Sequence, residues 1–285
     1  MSRSDLWFSI PIGEWTEVLV DWMTTHLRGL FNLISNGLQD LYELISWVLL
    51  TPPFWAVIIV LAVIAFFAKS WKLALATVLG FLLVYGMFRW DQAMQSLAQV
   101  IVASFFAIVI GVPLGILAAR KASASSAIRP VLDFLQTMPA FVYLLPFILL
   151  FSVGVVPGIV STILFSLPPA VRFTELGIRG VDKEVVEAGY AFGATPGRVL
   201  RQIQLPLAKP TIMAGINQVI MLSLSMVVIS GLVGAEGLGR DIVSAISRID
   251  VGKGTEAGLA VVILAIYLDR VTSSFGKART AAGTA

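Results

Sequence analysis

Residues Phe134–Val171 read FLQTMPAFVYLLPFILLFSVGVVPGIVSTILFSLPPAV, 38 consecutive positions without an Asp, Glu, Lys or Arg. A spanning helix needs roughly 20 mostly apolar residues, so this block is long enough for two. Gly154, Pro157 and Gly158 lie near its middle and predict the break between them, because glycine and proline punctuate helices.

The rest of the chain carries the same signal. Hydrophobic residues make up 58% of the 285, charged residues only 13%, and the mean hydropathy is +0.90. A water-soluble domain carries about a quarter charged residues, so much of this surface must face lipid. Further uncharged blocks run over 44–68, 73–88, 92–119, 210–235 and 257–268. They predict an all-α polytopic membrane protein with about seven transmembrane helices, near 52–68, 73–90, 93–119, 131–153, 156–173, 208–235 and 257–275. The last has few uncharged residues and passes as a span only if Asp269 and Arg270 lie near the membrane surface.

Several classes of chemistry are excluded. The chain has no cysteine, which removes disulfides, thiolate nucleophiles and cysteine metal sites, and a single histidine, His26, argues against imidazole metal centres. The formal charge of +3 gives no reason to expect a nucleic-acid partner. Alternating the spans places fourteen of the 20 Lys and Arg on one side, among them Lys69, Arg120, Arg172, Lys183, Arg198 and Lys209. Cytoplasmic loops retain positive charge, so the N-terminus is expected outside and the C-terminus inside the cytoplasmic membrane of a prokaryote.

Met1–Asp5 is not a basic leader and no apolar run follows before Glu14, so no signal peptide is expected. The first 50 residues are instead amphipathic, with Leu27, Leu30, Phe31, Ile34, Leu38, Leu41, Tyr42 and Ile45 at helical spacing. Two placements suit such a helix, along the membrane surface or against its own bundle.

Between Arg172 and Lys209 lies the most polar internal stretch, long enough to expect a function. Lys183–Phe192 reads as a short helix capped by Asp182 and closed by Gly193. Thr195-Pro196 starts a second, which would run to Leu205, with Pro206 and Pro210 bracketing the entry to the next span. Within it stand Glu187-Ala188-Gly189, then Gly193, then Ile203 and Leu205-Pro206. This spacing resembles the EAA motif of ABC-importer permeases, in which an alanine would stand at the place of Gly189.

The resemblance covers about residues 128–275. Asp133–Leu144, Gln204–Ala208, Pro210–Gly215 and Leu224–Ile229 resemble the permeases of the glycine betaine/proline betaine/choline importers. It implies a type I ABC importer permease fold with a cytoplasmic coupling helix, pairing of two permease copies as a homodimer in membrane lipid, a separate ABC ATPase and an extracytoplasmic substrate-binding protein. The chain itself would be a transport subunit and not an enzyme. No G-x-x-x-x-G-K-[ST] occurs, since Gly252-Lys253 is followed by Gly254, so ATP and Mg²⁺ are expected on the partner and no cofactor here. By this resemblance Glu187, Ala188, Gly189, Gly193 and Pro206 form the ATPase-coupling contact. The implied division is an N-terminal segment over 1–50, two accessory helices over 51–90, the importer domain over 91–275 with its coupling loop at 173–209, and a cytoplasmic tail over 276–285.

A translocation path needs polar or polarizable groups on bundle-facing surfaces. Quaternary ammonium ions can be held by aromatic faces without a fixed carboxylate, which makes Phe141, Tyr143 and Phe147 candidates. Asn217 and Ser225 are the polar candidates, although hydrogen bonding between helices explains such residues equally well. Gly111 and Gly115 form a GxxxG pair for close helix approach, within one subunit or between two. An importer for another small solute, such as a sulfonate, is the alternative reading, but an anion calls for cationic path residues and the spans hold none. A membrane enzyme would show paired carboxylates or a metal cluster in the spans, and none is visible.

Overall fold

The computed structural model describes residues 11–276. Among them every regular element is helical: α1 (Ile12–His26), α2 (Arg28–Leu50), α3 (Phe54–Ala68), α4 (Trp71–Gly86), α5 (Trp90–Arg120), α6 (Ala122–Thr137), α7 (Ala140–Phe151), α8 (Val155–Arg179), α9 (Lys183–Ala191), α10 (Pro196–Val199), α11 (Leu205–Ser230), α12 (Leu238–Arg248) and α13 (Val251–Gly276). A π-turn, Leu200–Gln204, joins α10 to α11, and a 3₁₀ turn, Gly231–Val233, follows α11.

The α5, α8 and α13 helices and the continuous run 196–233 are each long and apolar enough to cross a membrane. The pairs α2–α3 and α6–α7 pass the same criterion only together, and α4 is a shorter apolar helix. Each of the seven blocks read from the sequence falls on one of these elements.

α8 is the centre of the bundle and the most buried of the long helices. At 25 residues it is about 37 Å long, enough for the hydrocarbon layer. Small residues let α5 and α11 approach it. A methyl group at Gly111 would stand 2.4 Å from the Ala170 Cβ, and one at Gly115 would stand 2.6 Å from both Thr174 Cβ and Val171 O. The GxxxG pair therefore serves packing inside the subunit. On the other flank a Cβ at Gly215 would meet Phe173 Cβ at 2.5 Å, and one at Gly158 would meet Ser230 Cβ at 2.7 Å. In lipid there is little hydrophobic gain from joining apolar helices, so close van der Waals contact of this kind supplies the association.

The ends of the charge-free block meet. Arg172 Nη2 donates to Asp133 Oδ1, tying α8 to α6. The block thus leaves and returns at one end of the bundle. Its break lies at Ser152 (φ +67°) and Gly154 (φ +149°), while Pro157 and Gly158 sit in the first turns of α8, where a missing N–H costs nothing.

Two expectations are corrected and one helix is added. The block 131–153 is not one straight helix: α6 and α7 meet at 99° across Met138-Pro139, because proline bars the preceding residue from helical backbone and Met138 is extended at ψ 133°. The loop's second helix does not run to Leu205: α10 ends at Val199, and Pro206 stands in the first turn of α11. The π-turn before it carries Leu205 N–H to Leu200 O, and the helix continues through Pro206 and Pro210. Between the last two spans, where the sequence reading placed no element, α12 forms. Its Asp241 is buried and accepts from Arg89 (3.0 Å) and Lys253 (2.9 Å), and Arg89 also pairs with Glu256 (2.8 Å), so charges fix α12 to the α4–α5 turn and to α13.

α2 packs on the bundle, burying Leu38 and Tyr42 against α5 and α8, which decides between its two placements. α3 and α4 pair and lean on α13, where Phe81 meets Tyr267 edge-on at 5.4 Å between centroids.

Gly111→Leu or Gly115→Leu is expected to destabilise the permease by about 1–3 kcal/mol through overpacking. Melting of the purified protein in detergent checks this, with Gly37→Ala, where nothing lies within 4 Å, melting as the parent does.

Candidate coupling site

The loop between α8 and α11 folds as a helical hairpin. Asp182 Oδ1 accepts from Glu184 N–H at 2.9 Å and starts α9, while Glu184 stands in the first turn where the helix dipole favours an acid. α9 stops at Ala191, one residue earlier than its pattern suggests. Gly193 takes a left-handed backbone (φ +78°), and Ala194 N–H reaches back to Gly189 O at 3.1 Å, a glycine-closed helix end. Thr195 then begins the next helix with its carbonyl, which accepts from Arg198 and Val199, and its hydroxyl makes no capping bond.

The long spacing between the parts of the motif now has a physical meaning. Gly189 is buried, and a Cβ there would stand 2.5 Å from Ile203 Cδ1 and 3.5 Å from Val199 Cγ2. Gly189 and Ile203 are therefore the touching surfaces of the two arms, Gly193 is the hinge of the hairpin, and Pro206 lies where the second arm passes into α11. An alanine at position 189 is accommodated by a turn of the flexible Ile203 side chain, whereas a larger residue is not.

Footing comes from a small core in which Ile178, Val181, Leu200 and Ala208 are buried with Val186 against them. Glu175 fastens the same end. This buried carboxylate accepts from Ser125 (2.7 Å) and pairs with Arg129 and Arg179, both at 3.2 Å, and Arg179 also donates to Ala118 O. The base of the hairpin is thereby packed against α5, α8 and α11, with α6 held to α8 beside it.

Outward, the hairpin presents Glu187 and Ala188, both exposed, and Glu187 forms no ion pair among the described residues. Beside them stand Tyr190, 48% exposed, and Phe192, 93% exposed. These two aromatics were not singled out from the sequence. Their signal was present: apolar residues in a polar loop, off the face that Val186 and Gly189 turn inward. Uncovered aromatics next to an unpaired carboxylate form a surface suited to a protein partner.

The path candidates do different things. Tyr143 is buried and its hydroxyl donates to Leu135 O, bracing the α6–α7 bend, with its ring 6.3 Å from that of Phe165. Phe141 is exposed near the start of α7, and Phe147 packs toward Phe151. Asn217 donates to Asp269 at 3.0 Å and accepts from Thr272, which ties α11 to α13. Ser225 is exposed and bonds to Met221 O in its own helix.

A bundle of membrane-crossing helices with an outward-facing helical hairpin at one end is the form of a membrane transport subunit. Residues 111–278 match the family described as binding-protein-dependent transport system inner membrane component, and the chain belongs to that family. It is 47% identical over 273 residues to the glycine betaine/carnitine transport permease protein GbuB of Listeria monocytogenes, covering 94% of this chain and 96% of that one. It is 46% identical to the glycine betaine/proline betaine transport system permease protein ProW of Escherichia coli, covering 94% of this chain and 76% of that one. The fold is similar to an inward-facing MetNI methionine ABC transporter, with a TM-score of 0.58 and 24% identity over 63% of this chain and 92% of the other.

Gly189→Leu should loosen the hairpin and lower recovery of a permease–ATPase complex, and Gly189→Ala should leave recovery unchanged. Adding Ile203→Ala to Gly189→Leu should restore most of the loss, a coupling that a double-mutant cycle on complex stability reads directly.

Proposed function

We propose that this chain is the permease subunit of an ATP-driven importer for quaternary ammonium solutes: glycine betaine, proline betaine or choline. The observation that carries the reading is the exposed, rigidly footed α9, which has the form of a lever for an ATPase. The substrate class is supported by the relatives' names and by the low charge of the helices, since a nitrogen whose charge is spread over methyl groups needs no buried carboxylate.

In this reading a separate ATPase receives α9 in a cleft. Glu187 sets its orientation, Ala188, Tyr190 and Phe192 fill the contact, and Gly189 and Gly193 keep the hairpin stiff. Closure and opening of the ATPase pair then rock α8 and α11, exposing the path alternately to either side. A second permease copy completes the path, and a binding protein delivers solute to the end of the bundle away from α9. The chain is a multi-pass protein of the inner membrane with α9 in the cytoplasm and its N-terminus outside.

Two experiments test this. Labelled glycine betaine and choline are offered to cells lacking other osmolyte uptake and supplied with this chain, an ATPase and a binding protein. Uptake should require all three components and collapse with Glu187→Arg; an assembled, ATP-hydrolysing complex that takes up neither solute contradicts the substrate class. Because the chain has no cysteine, Phe192→Cys and Ile249→Cys report sidedness. A membrane-impermeant maleimide added outside should label only the second, and the reverse pattern overturns the orientation.

A further inference from the structure

Residues 230–238 carry the chain from α11 into α12 at the end of the bundle away from α9, and no part of the coupling site uses them. One face of α5 holds both ends of this turn. Leu238 N–H donates to Ser96 Oγ at 2.8 Å, Gln95 Nε2 donates to Glu236 at 2.8 Å, and Ser230 Oγ stands 3.4 Å from Gln99 Oε1. Residues 95, 96 and 99 share that face because positions four apart lie one helical turn apart. The α7–α8 turn joins the same knot, with Gly154 N–H donating to Val233 O at 3.1 Å. Any movement of the end of α11 against α5 therefore passes through this turn.

The three grips are unequal. Gln99 is 1% exposed, yet its Nε2 has no hydrogen-bond partner among the described residues. Its contact with Ser230 is long, and Ser230 has one proton to give, for which Val227 O at 2.7 Å is the nearer acceptor. Turning the carboxamide over still leaves one of its ends unpaired. A second orphan stands on α11 itself. Ser223 is fully buried and its Oγ has no partner, whereas Ser161, Thr162 and Ser166 on α8, equally buried, each bond a carbonyl four residues back at 2.6–2.7 Å. Ser223 lies seven residues before Ser230, two turns along the same face of α11, so both orphans border one stripe of that helix. A bridging water accounts for neither, because neither atom has surface for a water to touch.

An unpaired buried amide penalises the arrangement that contains it. A static packing site would be better filled by methionine or leucine, which match glutamine in size and bring no polar group. A helix that alternates between two positions has a different need, since neither position can be much the more stable. We propose that Gln99 is a positioning residue of the transport cycle: unpaired in the arrangement described here, its carboxamide is bonded when α11 and the 230–238 turn shift against α5, and Ser223 gains a partner in the same movement. The penalty in one position and the bond in the other keep the two close in free energy. The movement rests on the importer reading; the place where it is tuned follows from the two orphan groups.

The test is Gln99→Met, which keeps the shape and removes the unpaired amide, with Gln99→Leu as a second variant of the same kind, each in the permease–ATPase complex in lipid vesicles supplied with binding protein. Melting of the complex should rise by about 2 °C or more. Glycine betaine uptake should lose about fivefold or more in maximal rate, because the starting arrangement has become too stable, with the binding-protein concentration for half-maximal uptake unchanged. Ser223→Ala should move melting and rate in the same directions. A merely structural glutamine gives other results: uptake lost together with lower melting in both variants, or uptake unchanged, overturns the proposal. Val233→Cys, at a position 6% exposed in this cysteine-free chain, reports the turn directly. ATP with loaded binding protein should speed its labelling by a membrane-impermeant maleimide, and Gln99→Met should abolish the increase. No increase in the parent, or an increase that Gln99→Met leaves intact, also overturns the proposal. The importer reading fails separately, through a parent complex that takes up no solute; the ATP-dependent labelling of Val233→Cys then still decides the role of Gln99.

Discussion

Everything in this molecule hangs on how closely α5 and α11 approach α8. Lipid offers apolar helices nearly the environment that a neighbouring helix does, so association depends on contact distance. Glycines at 111, 115, 158 and 215 bring backbones together where even a methyl group would collide. Proline at 168 and 169 within α8 then becomes tolerable, because the carbonyls they free lie inside the packed bundle and not in lipid. The result is a packed central rod with the helical hairpin at one end.

Charges act at the ends of that rod. Glu175 gathers Arg129, Arg179 and Ser125 near α9, Asp133 and Arg172 close the charge-free block on itself, and Asp241 collects Arg89 and Lys253 at the far end. Ion pairs of this kind add little net stability after desolvation. They choose instead among packings that apolar contact alone would leave similar in energy, which is the need of a bundle whose helices are alike in composition. They also tie α6 to α8 beside the hairpin, since parting the two would strip the buried Glu175 carboxylate of Ser125 and Arg129.

Much of the fold was legible because membrane spans write themselves in missing charges. The break near Gly154, the cap at Asp182 and the turn at Gly193 were readable because each rests on the local chemistry of one or two residues. The 99° bend at Pro139 was hidden: a proline predicts a disturbance but not its angle, which Tyr143 fixes from the next helix. α12 was hidden because its amphipathic face is completed by Arg89, far away in sequence. Of the site, the spacing of Glu187, Gly189, Gly193 and Ile203 located the hairpin, but only the folded structure shows that Gly189 faces Ile203, not the outside. Phe192 was passed over although its place in a polar loop marks it, because it follows the last helical residue, Ala191, and belongs to no helix face.

The central claim is that the hairpin works as a rigid lever. It is tested by joining its arms. In this cysteine-free chain, Gly189→Cys with Ile203→Cys places two thiols across the contact, and oxidation locks α9 to the π-turn. Glycine betaine uptake should then be the same oxidised and reduced, because the locked pair is already the working geometry. Uptake that stops on oxidation and returns with reductant would show that the arms must part during the cycle, and would contradict the account.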